Sequence, residues 1–316
     1  MTDVAPVLPA AAKQPKGWPR AVALMGVAMA TAVLQPSVLV AVPFLLLGFV
    51  LGVRRLSVVA ASVLAAVVVA AGEAQTPLWY VERGWAFLAG GWFAALTLRQ
   101  PRSAFSGRAL GAVAGAAVVA GVVLGTRSGA WSTVEWAVEE RIAQGIGTAL
   151  EALRFMRGGE ALPPSLVTAV QETVRTQSAV FPALLGVSSM AALGVAWWVY
   201  VRLSSGSDQG VGPLREFRFN DHLVWVFIAG LVLLVAQWQV VLSRVGANTV
   251  VFMGALYAVR GAAVILFLSG GLSLFGYVML AFGLVFLPPL VLTGAMVIGI
   301  GDTWLDVRRR AGPTAA

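Results

Sequence analysis

A chain of 316 residues that is 59% hydrophobic and only 11% charged, with mean hydropathy +0.86, carries too few polar groups to coat a soluble surface. Its net charge of +8 sits largely at the ends of apolar runs, a topology signal of membrane proteins that argues against nucleic acid as a partner. Cysteine is absent, and both lysines, Lys13 and Lys16, precede the first apolar run. Disulfides, thiol chemistry and a Schiff-base or P-loop lysine within the apolar part are thereby excluded.

Residues 1–20 are rich in Ala and Pro and read as a disordered, basic, cytoplasmic tail ending near Trp18. The apolar stretch 21–53 is too long for one span and is interrupted by Gln35-Pro36-Ser37. Proline biases its predecessor away from helix, so spans are expected at 21–34 and 38–53 with a tight turn between. A third span follows Arg54 and Arg55 at 56–72. The segment 73–84 carries Trp79 and Tyr80 as interface anchors and reads as a loop. Spans four and five are expected at 85–98 and 109–125, the latter with the small-residue spacings Gly111-x-x-x-Gly115 and Gly121-x-x-x-Gly125.

Residues 126–179 differ, with eleven charges and apolar residues such as Ile142, Ile146 and Leu150 recurring at helical spacing. They predict a pair of amphipathic helices, broken by Gly158-Gly159 and restarted at Pro163-Pro164, that lies on the membrane surface or caps the bundle, with a solvated connector as the alternative. Further spans are expected at 181–201, 223–243 and 249–268. Nine full crossings would put Arg308–Arg310 outside, so one run is expected not to cross: first the final run 274–300, broken by Pro288-Pro289 and re-entrant, or else the short 21–53 pair. The reading is therefore all-α, a polytopic transmembrane helix bundle of eight to nine membrane segments with the amphipathic pair between the fifth and sixth spans. Its parts are the tail 1–20, a five-span half 21–125, the connector 126–179, a membrane half 180–310 and a tail 311–316. The arginines place the N-terminus, 54–55, 99–108, 202–222 and the C-terminus on the cytoplasmic face of the inner membrane.

Within 249–268, Arg260 is the one charged residue, twelfth of twenty. A guanidinium at that depth costs at least ~2.5–3.5 kcal/mol, so it is expected to turn inward to other helices. Arg260, Tyr257, Gln237 and Asn248 form the candidate polar site. It is either a pocket for an anionic ligand group or a structural arginine held by carbonyls and amides. No carboxylate falls inside a predicted span, which argues against an intramembrane proton relay. The only histidine, His222, lies in a predicted loop, and neither a GxSxG nor a GxxxxGK[ST] motif occurs, so no enzyme, metal or cofactor is expected. The ending GDTWLDVRRR predicts a short interfacial helix capped by Asp302 after Gly301. Trp304 would sit at headgroup depth, Asp306 would pair with Arg310, and Arg308 would anchor to lipid.

The stretches PLREFRFNDHLVWVFIAGLVLLV (213–235), LYAVRGAAVILF (256–267) and GDTWLDVRRR (301–310) resemble the YybS-like family of uncharacterised bacterial integral membrane proteins. The matching positions are Arg215, Phe217, Arg218, Tyr257, Arg260, Gly261, Asp302, Thr303, Trp304, Asp306 and Arg308, with Arg260 standing where that pattern more often has an amide. The family is distantly similar to the substrate-binding components of energy-coupling-factor vitamin transporters. The resemblance implies a small-solute-binding, transporter-like component that depends on partner proteins. A non-transporting membrane scaffold or assembly factor is the alternative. The lipid bilayer is the expected partner, with a second membrane protein allowed for.

Overall fold

The structure, a computed structural model, describes residues 18–52, 55–71, 77–156, 163–205 and 211–310. Among these residues it is all-helical, with thirteen α-helices and no strand. α1 (Trp18–Thr31) and α2 (Pro36–Leu51) meet at a turn, with Pro36 as the first residue of α2, where a missing N–H costs nothing. α3 (Leu56–Ala70), α4 (Pro77–Arg99) and α5 (Phe105–Thr126) complete the N-terminal group. α6 (Ala130–Met156) and α7 (Pro164–Ala179) are the amphipathic pair, followed by α8 (Phe181–Ser205). The C-terminal group is α9 (Val224–Ala236), α10 (Val240–Leu268), α11 (Leu274–Phe286), α12 (Pro288–Leu305) and the single turn α13 (Val307–Arg310). By length and composition four helices can cross a bilayer: α5, α8, α10 and α12.

Several expected boundaries move, each for a local reason. Trp18–Arg20 already belong to α1, so only 1–17 of the expected tail, like 311–316, lies outside the described residues. The predicted loop 73–84 becomes helix from Pro77 onward, and Glu82 and Arg83 are buried in it. The predicted span 223–243 breaks at Gln237, whose left-handed backbone (φ 46°) ends α9 and hands Val240–Ser243 to α10. The run 274–300 divides at Leu287 into two helices, and α12 continues five residues past the expected end.

The core has two parts. α8 lies against α1, α2 and α5, burying Phe44, Leu47, Phe93, Ala112, Leu193 and Ala196. In the second part α10 packs between α9 and α12 around Val224, Met253, Leu256 and Tyr257. Two close approaches fix α10. A Cβ on Gly246 would lie 2.6 Å from the Leu234 nitrogen of α9. At the α10–α12 crossing, a Cβ on Gly261 would lie 1.8 Å from the Ala295 carbonyl oxygen and one on Gly299 2.0 Å from that of Tyr257. Glycine at both positions lets the two backbones touch. Facing residues run in the same order on both helices (Gly254 with Met296, Tyr257 with Gly299, Arg260 with Asp302), so α10 and α12 are parallel here.

Hydrogen bonds group the connecting segments at two ends. At one end Arg20 donates to the Gly212 carbonyl, Ser57 to Leu203, Tyr200 to Gly52, Ser106 to Arg218, and Arg308 to Arg215 and Phe217. At the other, Glu82 accepts from the Gln35 backbone, and Arg244 at the start of α10 bonds Glu135 of α6 at 2.6 Å and the Ser178 carbonyl of α7. The amphipathic pair is thus docked on the bundle, its apolar face (Val138, Ile142, Val174) closing over Phe181.

Candidate functional site

Helical spacing puts Met253, Leu256, Tyr257, Arg260 and Val264 on one side of α10, and all five are buried, whereas Phe267 at the helix end is exposed. Arg260 is fully buried. Its Nε donates to Asp302 Oδ2 at 3.0 Å and its Nη1 to Asp221 Oδ1 at 2.5 Å. Its guanidinium carbon lies 5.5 Å from the centre of the Phe219 ring, which in turn meets Tyr257 edge-on. Phe227 closes the other side of Tyr257, and Thr303 is the polar neighbour of its hydroxyl.

The paired glycines of the α10–α12 crossing make this contact geometrically available, because one turn beyond Gly299 the side chain of Asp302 faces α10. α12 ends at Asp306, held in a left-handed conformation (φ 42°), and this reversal folds Arg308 back over the helix end. Arg308 Nη2 donates to the same Asp302 oxygen at 2.8 Å, while its Nη1 holds the Phe217 carbonyl at 3.0 Å. Arg218 pairs with Asp306 beside it. The result is an alternating row, Asp221–Arg260–Asp302–Arg308, neutral in sum. Three of its members have side chains no more than 7% exposed, and Asp221, at 58%, forms its open end. Each buried charge faces one of opposite sign, the condition under which an ion survives in a low-dielectric interior.

The candidates from the sequence divide. Tyr257 and Arg260 share the site, and Asp302 and Arg308 join them there. Gln237 is exposed in the α9–α10 turn. Asn248 lies twelve residues, roughly 18 Å, up α10 from Arg260. Its amide accepts from the Ala183 backbone and donates to the Ala179 carbonyl, so it joins α10 to the α7–α8 junction. The expected interfacial helix at the end of the chain is also corrected. Gly301 and Asp302 lie inside α12, Asp302 is buried, and Asp306 pairs with Arg218. Trp304 is exposed on the outer side of α12.

Sequence reasoning passed over Asp221, which looked like ordinary loop beside His222. It also missed that two carboxylates, Asp302 and Glu82, are buried within helices of the bundle. The N-terminal half holds its own buried cations. Arg83 donates from Nε to the Val69 carbonyl (2.7 Å) and from Nη2 to that of Ala71 (2.6 Å), and lies 3.9 Å over the Trp79 ring. Arg108 donates to Thr97 at 3.1 Å and lies 4.8 Å from the Trp197 ring.

Two cavities lie elsewhere. One of 480 Å³ is lined by α2, α3 and α4 residues including Leu45, Val69 and Phe87, and one of 290 Å³ lies where α1, α6, α7 and α8 meet. Arg260 lines neither.

Among the described residues the chain is all-helical with four apolar helices long enough to cross a bilayer, which marks a membrane protein. The chain belongs to the family described as predicted membrane protein (DUF2232), whose model matches residues 20–303. No curated protein and no solved structure matches it. The family description names no ligand or partner, and it lends no support to the YybS-like resemblance or to a likeness with energy-coupling-factor components.

Proposed function

We propose that the protein is a non-transporting membrane scaffold or assembly factor, in which the Arg260 row is a structural lock and not a solute site. The observation that carries this reading is that both charged contacts of Arg260 go to carboxylates of the chain itself, with its side chain 1% exposed. A ligand-binding cation needs its charge open to a cavity, and here the two charged contacts, through Nε and Nη1, join α10 to α12 and to the 211–223 segment. The transporter-like alternative would need a solute to displace Asp302 or Asp221. The chain also lacks the paired histidines or nucleophile motifs of common hydrolases, so the reading is not enzymatic.

In this reading the arginine-rich end, with Arg20, Arg55, Arg99, Arg102, Arg202 and Arg308–Arg310, faces the cytoplasm of the inner membrane, and the start of α1 and the end of α13 lie there. Eight or more passages fit, with α11 and α12 as separate segments that bring the chain back to its starting side. Arg309 and Arg310 are exposed there and suit contact with lipid phosphate.

The test is native mass spectrometry of the gently extracted protein alongside Arg260→Gln. The scaffold reading expects a second membrane protein in the spectrum and no small-molecule adduct that depends on Arg260. An adduct present on the wild type and lost in folded Arg260→Gln would overturn it.

A further inference from the structure

Where the end of α1 meets α6, α7 and α8, the 290 Å³ cleft has a floor of Ala30, Ala32, Val33, Ile142, Ile146 and Leu184. Three polar side chains line it as well: Arg141, Gln177 and Thr31. The volume is near the lower end of small-ligand sites, and an apolar floor with a few convergent polar groups is their usual composition.

Arg141 is the one charged residue that lines this cleft. On α6 the positions three and four residues away are Val138, Ala137, Gln144 and Gly145, none of them acidic, so no helical ion pair is available. The nearby glutamates are engaged elsewhere: Glu135 with Arg244 at 2.6 Å, Glu139 with Ser178 at 2.8 Å, and Glu140 with Gln144 at 2.9 Å. Among the described residues no carboxylate comes within 4.0 Å of Arg141, and the one charge that acts on it at longer range is that of Glu82, buried in α4. Arg141 is exposed, so its guanidinium is open to what enters. Thr31 already donates to the Val27 carbonyl, which leaves its oxygen as an acceptor facing the cleft lining. Gln177 supplies an amide that both donates and accepts.

We infer that this cleft binds an amphiphilic anion, a carboxylate or phosphate on a short apolar chain. The headgroup sits on Arg141 and Gln177, and the chain lies against Val33, Ile142, Ile146 and Leu184. An arginine fork matches either anion in bidentate geometry, and the apolar floor separates such a ligand from a free inorganic ion. The chemistry is shared by a soluble organic anion and by the headgroup region of an anionic lipid, and the cleft is independent of the Arg260 row.

Calorimetric titration of the whole protein in a non-ionic detergent tests this, with hexyl phosphate as the probe and hexanol and inorganic phosphate as its two halves. Hexyl phosphate is expected to bind more tightly than either half. Arg141→Gln should weaken it by about tenfold or more, since a charge-assisted contact is lost, while Arg141→Lys, which keeps the charge and loses the fork, should recover only part of that. Equal affinity in wild type and Arg141→Gln, or hexanol binding as well as hexyl phosphate, overturns the site. The same titration in nanodiscs separates the sources. Phosphatidylglycerol that abolishes hexyl phosphate binding assigns the cleft to lipid, and unchanged binding assigns it to a soluble anion. Arg141 is exposed and makes no ion pair within 4.0 Å among the described residues, so its variants should fold, and Arg141→Lys controls for the charge.

Discussion

Two arginines buried in the two halves of this bundle solve the same problem in different ways. Arg83, in the N-terminal half, is held mainly by backbone: the carbonyls of Val69 and Ala71 at the end of α3, that of Trp79 one turn earlier in α4, and the Trp79 ring, with the Glu82 carboxylate farther off at 3.7 Å. Arg260, in the C-terminal half, is held by the carboxylates of Asp221 and Asp302. The last carbonyls of a helix have no partner within it and carry the negative end of its dipole, so the end of α3 is a ready counter-charge for one guanidinium. That arrangement is local, spanning fourteen residues or fewer of sequence. The Arg260 row joins residues 39 and 42 apart, and each full charge it brings in requires another. Backbone capping fastens one hairpin; the ion-pair row fastens α10, α12, α13 and the segment before α9 together.

The comparison breaks first at Asp302. This carboxylate meets two guanidinium groups through one oxygen and is wholly buried, so Asp302→Leu leaves both Arg260 and Arg308 without their shared partner. Removing one member of a buried charge set costs about 3–5 kcal/mol, and the yield of monodisperse protein and its melting temperature should both fall sharply. A melting temperature equal to the wild type would show that the row is not what holds α12 to α10.

Arg260→Leu should cost less, because Asp302 keeps Arg308 and Asp221 can turn to water. Arg260→Gln should be milder again, since the amide retains one hydrogen bond to Asp302. Thermal melting of the two variants side by side checks the order, and identical melting for Leu and wild type would mean the arginine has no consequential partner.

How far the sequence could lead differs between the two arginines for the same physical reason. Arg260 stood out because it is the only charge in twenty apolar residues, and the cost of a cation at that depth forces it inward. Tyr257 followed from helical spacing. Asp302 was visible as a residue, but its place in the row depends on the glycine crossing of α10 and α12, a contact between segments about forty residues apart that one sequence does not encode locally. The left-handed turn at Asp306, which folds Arg308 back, likewise carries no glycine to announce it. Arg83 was harder still. Backbone carbonyls have no residue identity, so a cation capped by them leaves no partner to find, and its neighbours Trp79, Tyr80 and Glu82 look like an interfacial loop. The helical class and the docked amphipathic pair were legible from hydropathy and charge spacing. Gln237 and Asn248 misled because proximity in sequence to an apolar run says nothing about depth along it.

Arg83→Leu sharpens the backbone side of the comparison. It strips the end of α3 of its donor and leaves Glu82 without its nearest cation, 3.7 Å away. The loss should be about 1–3 kcal/mol, the cost of leaving buried acceptors unmade, and Arg83→Lys should recover part of it because an ammonium can still reach one carbonyl. Hydrogen exchange should rise locally in α3 and the start of α4 and stay unchanged in α10. Faster exchange at α10 would mean that the two halves are not independently fastened.

The smallest effect is expected at Asp221, and it decides whether the row is rigid throughout. Asp221 is 58% exposed, so its attraction to Arg260 is screened by water on one side and its carboxylate loses little on release. Asp221→Asn should therefore lower stability by less than ~1 kcal/mol, within the range of partly exposed ion pairs, even though the contact is only 2.5 Å long. The 211–223 segment has other attachments: Arg308 on the Phe217 carbonyl, Ser106 on that of Arg218, Arg20 on that of Gly212, and the Arg218–Asp306 pair. With these intact the segment should stay in place, and hydrogen exchange there should change only around residues 220–223. A loss as large as that of Asp302→Leu would place the energetic centre of the row at its exposed end, and the distinction between a buried lock and a solvated contact would fail.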